Sequence, residues 1–394
     1  MTDAAAQEDF RVEARAFLAE QYPKWKEAEG VADGELTREQ RRSLQQFLYD
    51  QGWGVLTWPP EFGGRGIGMV ESLIWNQEKA AAGLQFTFDF VGLGLAGPTI
   101  IARGTPEQKG RYLPKIARGE EAWCQLFSEP GAGSDLGALS TRAQTSGDVW
   151  IVNGQKVWSS GAMESDRGLL IARYDPDLPK QKGLVFLLLD MHAPGVEVRP
   201  LRQIDGGAHF AEVFFTDVQV PDADRVGEPG EGWSVAMTTL LHERSSIGGG
   251  IGSFAMPFDD VVRIARERGL NDDALVRQRL VEIYTRKTIL DVLNTRVQTA
   301  LLSGRIPEAE GSVIKILMAQ LGSVSALNAI ELLGPEGTLA DGQGSAQQRF
   351  LGMSALHIGG GTDEVQRNAI AERVLGLPRE PRPDKEVPFK ETRR

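Results

Sequence analysis

From Asp9 to about Glu120, apolar side chains such as Phe10 and Leu18 recur at the spacing of amphipathic helices. Thr37 begins another run of this kind, and a glutamine three residues later gives it the sequence of a capping box. Thr105 is followed by proline, which is typical of a polar cap and the first turn of a helix. Residues 1–122 are therefore predicted to form an N-terminal helical domain.

From residue 123 the apolar pattern changes to the period of β-strands, in segments separated by Gly, Asp and Pro clusters. Asn153-Gly154 lies inside this region and is predicted to form a tight hairpin turn. The pattern predicts a central β domain, a barrel or sandwich, over residues 123–232. Its clearest strand segments are residues 149–158, 168–174, 183–189 and 212–215.

After Gly232 the helical period returns and continues to about Leu375. Residues 233–377 are predicted to form a C-terminal four-helix bundle. The tail from 378 to 394 is rich in proline and charge and is predicted to be an extended arm. Helices, then strands, then helices indicate an α+β fold with helical domains at both ends.

Charge and composition limit the classes of partner. The 394 residues carry a net charge of −11, which repels nucleic acid and anionic membrane surfaces. The acidic N-terminus lacks the features of a signal peptide, and no uncharged apolar run reaches about 18 residues. A cytoplasmic protein without a membrane span is expected. Cys124 is the only cysteine and the four histidines show no ligand spacing, so no metal site is expected.

A glycine-rich loop, Ser128 to Asp135, joins the first helical block to the β segment and reads Ser-Glu-Pro-Gly-Ala-Gly-Ser-Asp. Three of its positions are small enough for backbone N–H groups to approach a phosphate or an electron-rich ring closely. Loops of this composition are also common tight connections. From the residues alone both interpretations stay open.

Trp158 lies at the end of an alternating strand and is followed by Ser159, Ser160 and Gly161. A tryptophan at this place is usually part of a core. The functional alternative is an aromatic wall against a planar cofactor, with Ser160 bonding to the edge of the ring.

Glu243 follows His242 and precedes Arg244 on a predicted helix, three residues after Leu240. At helical spacing it shares the face of that apolar neighbour. A carboxylate there is either paired with a cation or kept for proton transfer, and the local pattern does not decide between the two.

The segment His357 to Arg367 has three glycines that lead into a helix, with Thr362 in a capping position. Helix N-termini attract anions and dipoles. Taken alone, the motif is a weak indication of a binding site.

In this order, these segments resemble the acyl-CoA dehydrogenase family from the N-terminal helices to about Pro378. Residues 128–135 resemble the family signature Thr/Ser-Glu-Pro-x-Ala-Gly-Ser-Asp, and residues 153–158 are similar to its Asn-Gly-x-Lys-x-Trp strand. Residues 358–367 match the second half of the signature Tyr-Glu-Gly-Thr-x-Glu-x-Gln-Arg. The resemblance implies the fold of that family, with a helical domain on either side of a β domain.

The resemblance also implies an FAD enzyme that oxidises an acyl-CoA thioester to the trans-2-enoyl-CoA. A base removes a proton from the α carbon, and hydride passes from the β carbon to flavin N5. By position, Ser134, Arg244 and Gly360 would contact the substrate, and Gly334 would reach the flavin of a neighbouring subunit. The implied FAD contacts are Phe127, Ser128, Gly133, Ser134, Trp158, Ser160, Gly334, Thr362 and Glu364.

The chain departs from the family pattern where many members carry the catalytic glutamate, because it reads Gly359-Gly360-Gly361 there. Gly360 cannot accept a proton. The isovaleryl and long-chain members place the base on an earlier helix, in a Glu-Arg pair that corresponds to Glu243-Arg244. The resemblance therefore implies Glu243 as the base, and the space left at Gly360 favours a branched, cyclic or bulky acyl group.

A second departure lies at residues 266–273, where the family has an Arg-x-x-Phe-Gly stretch, and Glu331 stands where glutamine is common. In the family this arginine reaches the pyrophosphate of the FAD in a neighbouring subunit. The changes therefore favour a homodimer or a hetero-oligomer with a paralogue over the standard homotetramer, which stays an alternative. An electron-transfer flavoprotein is the expected electron acceptor. The alternatives are an acyl-CoA oxidase of the same fold and a non-catalytic subunit of a hetero-oligomeric dehydrogenase. No nucleic acid or membrane partner is expected.

Overall fold

The structure is a computed structural model that describes the backbone of residues 2–31, 36–84, 90–247, 256–302, 310–339 and 345–392. It describes their side chains as well, except at 2–4, 243–247, 298, 301 and 302. The chain packs as two units. One comprises Met1–Arg202, Ala208–Glu243 and Arg382–Arg394, and the other comprises Gln203–Gly207 and Arg244–Pro381.

Helices precede the sheet in the first unit, and the predicted capping boxes are confirmed. The Thr37 hydroxyl accepts a hydrogen bond from Gln40 N at 3.2 Å, and Thr37 N donates to Gln40 Oε1 at 3.0 Å. Thr105 and Gln108 form the same reciprocal pair. These bonds satisfy N–H groups that have no partner inside a helix and so fix where each helix begins. The helices are α1 (Thr2–Ala28), α2 (Arg38–Asp50), α3 (Met69–Ala81), α4 (Gly97–Arg103) and α5 (Pro106–Ala117).

A mixed sheet of seven strands follows, in the order β1-β4-β2-β3-β7-β6, with β5 paired to β4. The four predicted strand segments are confirmed as β3, β4, β5 and β7. The other three strands are short, with four to six residues each. The bounds are β1 (Trp123–Leu126), β2 (Arg142–Ser146), β3 (Val149–Ser160), β4 (Arg167–Arg173), β5 (Leu184–Asp190), β6 (Val196–Leu201) and β7 (Phe210–Pro221).

Strands β4 and β5 are apolar along their length because both faces are covered. Leu169 and Phe186 belong to a core shared with helices α4 and α5, whereas Leu170 and Val185 belong to a second core on the opposite face. A strand buried on both faces needs a continuous apolar run rather than an alternating one. The sheet is therefore anchored to the N-terminal helices through its middle strands.

The hairpin turn predicted at Asn153-Gly154 is wrong, because both residues lie inside β3. The turn between β2 and β3 is formed instead by residues 147 and 148, between the paired residues Ser146 and Val149. Gly154 marks an irregularity in the pairing of β3 with β7. A side chain there would place its Cβ 2.6 Å from the Thr141 hydroxyl oxygen, so close packing, not a turn, requires glycine.

Helix α6 (Gly232–Ile247) follows the sheet, and further helices make up the second unit. The long helices of the predicted C-terminal bundle are α8 and α9, and α7 and the short α10–α12 pack against α9. The bounds are α7 (Phe258–Glu267), α8 (Ala274–Leu302), α9 (Glu310–Leu333), α10 (Ala346–Gly352), α11 (Ser354–Ile358) and α12 (Asp363–Ala369).

The segment Glu310–Thr338, which contains α9, is long and apolar enough to cross a membrane by length and composition alone, with a mean hydropathy of 1.5. Core helices of soluble proteins meet the same test. Because α9 packs against several helices of its own unit, this segment is weak support for a membrane span. The expected absence of a span stays a prediction.

The C-terminal tail is not the extended arm that its composition predicts. Phe389 is buried, with 4% of its surface exposed, and its N–H donates to Leu178 O at 2.9 Å. Lys390 N donates to Pro176 O at 3.0 Å. The tail therefore docks on the loop between β4 and β5, with the buried Phe389 as its apolar anchor. The overall composition of the tail is charged and rich in proline, so it does not reveal this single aromatic contact.

Candidate functional site

The glycine-rich loop, residues 128–135, follows β1 and begins with a tight turn. Glu129 and Ala132 exchange backbone hydrogen bonds of 3.0 Å in both directions. Gly133 and Ser134 are exposed beyond this turn. Their N–H groups bond to no other residue that the structure describes, so they remain available to a ligand.

A buried ion pair joins this loop to β3. Lys156 Nζ lies 2.9 Å from Glu129 Oε1 and also donates to Phe127 O at 2.9 Å. The Lys156 side chain is fully buried and the Glu129 side chain is 5% exposed. Val157 N adds a hydrogen bond to Ser128 O at 2.9 Å. The two sequence motifs therefore form one structural element, in which β3 fixes the start of the loop.

Hydrogen bonds complete the surroundings of the Glu129 carboxylate. Ser140 N, Ser140 Oγ and Thr141 N donate to it at 2.7, 2.9 and 2.9 Å. Burial by itself would raise the pKa of Glu129, but the Lys156 ammonium and these donors outweigh it and lower that pKa to about 2. Complete burial lowers the pKa of Lys156 to about 8, although the Glu129 carboxylate acts in the opposite direction. Both groups are therefore charged at neutral pH.

Trp158 has an unusual backbone and an unusual exposure. Its φ is +61°, in the left-handed region that favours glycine, and 57% of its surface is exposed. The edge of one neighbour, Phe210, packs against it with ring centroids 5.7 Å apart. A bulky residue held in this conformation, with its ring open, is a strained arrangement of the kind that clusters at ligand sites. The core alternative for Trp158 is therefore wrong.

The remaining predicted residues of the first unit differ in what they expose. Ser160 is exposed at the end of β3, and Ser128 is half-buried. The Phe127 side chain is buried and packs edge-on against Phe186 at 5.9 Å. Only the backbone of Phe127 could therefore reach a cofactor.

The triglycine turn, Gly359–Gly361, is held by the helix that follows it. Gly360 has φ +65° and Gly361 has φ +89°, and Gln366 Nε2 donates to Gly360 O at 2.7 Å. Thr362 caps α12 by accepting a hydrogen bond from Val365 N at 3.3 Å. The backbone of this turn therefore favours glycine at positions 360 and 361. The turn also lacks the glutamate that many members of the acyl-CoA dehydrogenase family carry here.

A polar chain braces the same turn from its two ends. His357 Nδ1 lies 2.7 Å from Asp363 Oδ2, and His357 Nε2 lies 2.7 Å from Ser323 Oγ. Lys315 Nζ lies 3.0 Å from Asp363 Oδ1. Burial would raise the pKa of Asp363, but His357 and Lys315 hold it below its usual range. These side chains tie the turn to α9.

Glu364 and Gly334 are the other predicted residues of the second unit that the structure describes in full. Glu364 is exposed and pairs with Arg367 at 3.1 Å. Gly334 follows α9 with φ +61°. Glu331, the residue that replaces the usual glutamine, pairs with Arg279 of its own chain.

Glu243 and Arg244 lie in α6, and their side chains are outside the described residues. The preceding turn of the helix is anchored, because Thr239 Oγ1 lies 3.0 Å from Thr99 Oγ1 in the core of the first unit. Burial lowers the pKa of His242, which favours a neutral imidazole next to Glu243 in the chain.

The amino-acid sequence matches the acyl-CoA dehydrogenase N-terminal domain over residues 4–120, the middle domain over 124–218 and the C-terminal domain over 230–375. The chain belongs to the acyl-CoA dehydrogenase family. It is an oxidoreductase that acts on acyl-CoA, and FAD is the cofactor of this family. The predicted family and fold class are confirmed.

Several acyl-CoA dehydrogenases resemble the chain over almost its full length. IpdE1 of Mycobacterium tuberculosis is 40% identical over 384 residues, covering 95% of this chain and 98% of that protein. A solved structure described as the Tcur3481-Tcur3483 steroid ACAD is 30% identical with a TM-score of 0.78, covering 95% and 98%. The ChsE4-ChsE5 complex from M. tuberculosis is 31% identical with a TM-score of 0.75, covering 95% and 98%.

The described residues of the first unit fit FAD. Trp158 offers an open aromatic face, Ser160 offers a hydroxyl, and the N–H groups of Gly133 and Ser134 are free of other described partners. These are groups that would bind a planar ring and its polar edge.

Sequence reasoning missed two residues that organise this element, Glu129 and Lys156. Each belongs to a motif that resembles the family signature. At a period of two, Lys156 lies on the same face of β3 as the buried Trp150 and Val152, which is a signal in the sequence. A buried lysine needs a carboxylate partner, and Glu129 is the acidic residue of the neighbouring motif.

Proposed function

We propose that the protein is an FAD-dependent acyl-CoA α,β-dehydrogenase in which Glu243 removes the α-proton of the thioester. Bound FAD supplies the acceptor for the hydride that leaves the β carbon. The proton moves to the Glu243 carboxylate, and the two carbons become the trans double bond of an enoyl-CoA. The observation that carries the proposal is the exposed, left-handed Trp158 beside a glycine-rich loop that Lys156 and Glu129 hold in place.

The choice of Glu243 is supported by the triglycine turn. Gly360 lies where many family members carry their base, and its φ of +65° suits glycine. A thioester α-proton is weakly acidic in water, so a positioned base and donors to the carbonyl oxygen are both required. The Gly360 N–H would be one such donor, with Arg244 and Ser134 as further substrate contacts. Substrate binding would desolvate Glu243 and raise its pKa toward the value that a general base needs.

A branched, cyclic or otherwise bulky acyl group is the proposed substrate class. The absence of a side chain at Gly360 leaves space beside the reacting carbons. The relative described as a steroid ACAD, at 30% identity over 95% of this chain, supports a ring-bearing acyl group.

The proposed assembly is a hetero-oligomer with a paralogous chain, and the proposed electron acceptor is an electron-transfer flavoprotein. The likeness to the ChsE4-ChsE5 complex supports the first of these. Glu331 also supports it, because this side chain pairs with Arg279 of its own chain. A homodimer or homotetramer is the alternative outcome of a mass measurement on the purified protein.

Glu243→Gln tests the role of the base. The variant should keep its FAD, but anaerobic reduction of the flavin by a substrate should slow by about 10²-fold or more, the usual contribution of a general base. Glu267→Gln, an exposed carboxylate of α7 that pairs with Arg263, is the matched control and should react like the wild type. Reduction of the Glu243 variant at a near wild-type rate would remove Glu243 from the mechanism.

A further inference from the structure

The docked tail, defined as residues 384–392, is linked through two cationic side chains to the end of the glycine-rich loop and to the segment that follows it. We propose that this tail positions the loop for acyl-CoA, with Arg173 and Lys180 as the positioning residues that connect the two. The inference rests on the proposed function, because it takes Ser134 as a contact of the acyl-CoA. Its structural part concerns the first unit alone.

The tail is anchored by backbone and side-chain contacts together. Phe389 N and Lys390 N donate to carbonyls of the β4–β5 loop, and Pro179 pairs with Pro388 as an isolated antiparallel bridge. Charged groups add to this, since Lys390 pairs with Asp177. The tail is therefore packed against the β4–β5 loop.

Arg173 connects the tail to the loop. Its Nε donates to Leu139 O at 3.0 Å and its Nη2 donates to Gly137 O at 2.7 Å, so it holds the backbone just after the glycine-rich loop. The Phe389 ring lies over the guanidinium, 3.6 Å from its carbon to the ring centroid. Arg173 is 3% exposed, so Phe389 covers a buried cation that would otherwise meet water.

Lys180 is a second connection at the surface of the same region. Its Nζ lies 2.9 Å from Asp135 Oδ2 and 2.8 Å from Asp384 Oδ2. Asp135 directly follows Ser134 in the chain, and Asp384 belongs to the tail. One ammonium group therefore joins the tail to the residue next to the proposed substrate contact.

These contacts predict what loss of the tail would do. The loop would keep its start, because Lys156 and Glu129 hold it there. Arg173, which holds the backbone just after the loop, would lose the Phe389 ring that shields its guanidinium from water. Binding of the CoA moiety should weaken, whereas the rate of the chemical step should change little.

Phe389→Ala tests this, with Lys385→Ala as a control at an exposed residue of the same tail. Two measurements are made: exchange of the Ala138 amide, which bonds to Asp135 O at 2.9 Å, and calorimetric binding of free CoA. Exchange should accelerate about tenfold and CoA affinity should fall about three- to tenfold, with kcat within about twofold, as expected for loss of a desolvated cation–π contact. The control should match the wild type in both.

Asp384→Asn is a milder variant that keeps Phe389, and Glu391→Gln is its matched control. The first should weaken CoA binding in the same direction and the second should not. Faster exchange with unchanged CoA affinity and KM would show a merely structural tail and overturn the proposal, as would unchanged exchange. A wild-type protein that binds no CoA would instead overturn the proposed function, while the exchange measurement still reports on the tail.

Discussion

Lys156→Met removes the cation of the buried pair that fixes the glycine-rich loop. Glu129 would keep its three donors from Ser140 and Thr141 but lose Lys156 Nζ at 2.9 Å. The carboxylate would then be buried without a counter-charge. Removing one partner of a buried ion pair typically costs about 3–5 kcal/mol.

The pKa of Glu129 reports Lys156 together with the donors from Thr141 and Ser140, all of which act against burial. A value lowered from 4.5 to about 2 corresponds to about 3 kcal/mol of preference for the charged form. Because the folded-state pKa is depressed, this stabilisation is fully present above about pH 4.5 and is lost as pH falls toward about 2. Lys156→Met should therefore lower the free energy of unfolding by about 3 kcal/mol at pH 7 and by clearly less at pH 3.

Urea unfolding at the two pH values measures this difference. Lys115→Met is the matched control, since Lys115 pairs with Glu121 at 2.8 Å but is 43% exposed, and its loss should cost less than about 1 kcal/mol. The double variant Glu129→Gln with Lys156→Met should recover part of the stability. A Lys156→Met loss below about 1 kcal/mol, or the same loss at both pH values, would refute the reasoning.

Three further substitutions have expected outcomes. Trp158→Gly should lower FAD content, read as visible absorbance per protein, while leaving stability unchanged or about 1 kcal/mol higher because glycine suits φ +61°; full FAD retention would contradict this. Gly154→Ala should lower the free energy of unfolding by about 1–3 kcal/mol, measured by urea unfolding, since its Cβ would lie 2.6 Å from Thr141 Oγ1. An unchanged free energy of unfolding would count against it. Asp363→Asn should destabilise above about pH 4 but progressively less below it, because contacts such as that with His357 depress its folded-state pKa; equal losses at pH 7 and pH 3 would be inconsistent with this.

Much of the fold follows from local sequence. The capping boxes at Thr37 and Thr105 depend on residues three apart, and the strands depend on alternating or continuous apolar runs, so both can be predicted without tertiary information. These features are determined by residues that are close together in the sequence. Residues 128–135 and Trp158 lie in the β domain, and the binding roles that the family motifs imply for them stay predictions.

The rest depends on contacts between distant segments. Gly154 is required by its close packing against Thr141, which directly precedes β2, so its local resemblance to a hairpin turn misleads. The docking of Phe389 on Arg173 joins positions 216 residues apart, and the composition of the tail cannot predict such a contact. The pairing of Lys156 with Glu129 could have been predicted, because a lysine on the buried face of a strand needs a counter-charge.

Anaerobic reduction of the bound flavin by a panel of acyl-CoA thioesters tests the central claim most directly. The wild-type protein should lose its visible flavin absorbance on mixing, faster with branched or ring-bearing acyl groups than with straight chains. Failure of every acyl-CoA to bleach a fully FAD-loaded protein would contradict a dehydrogenase.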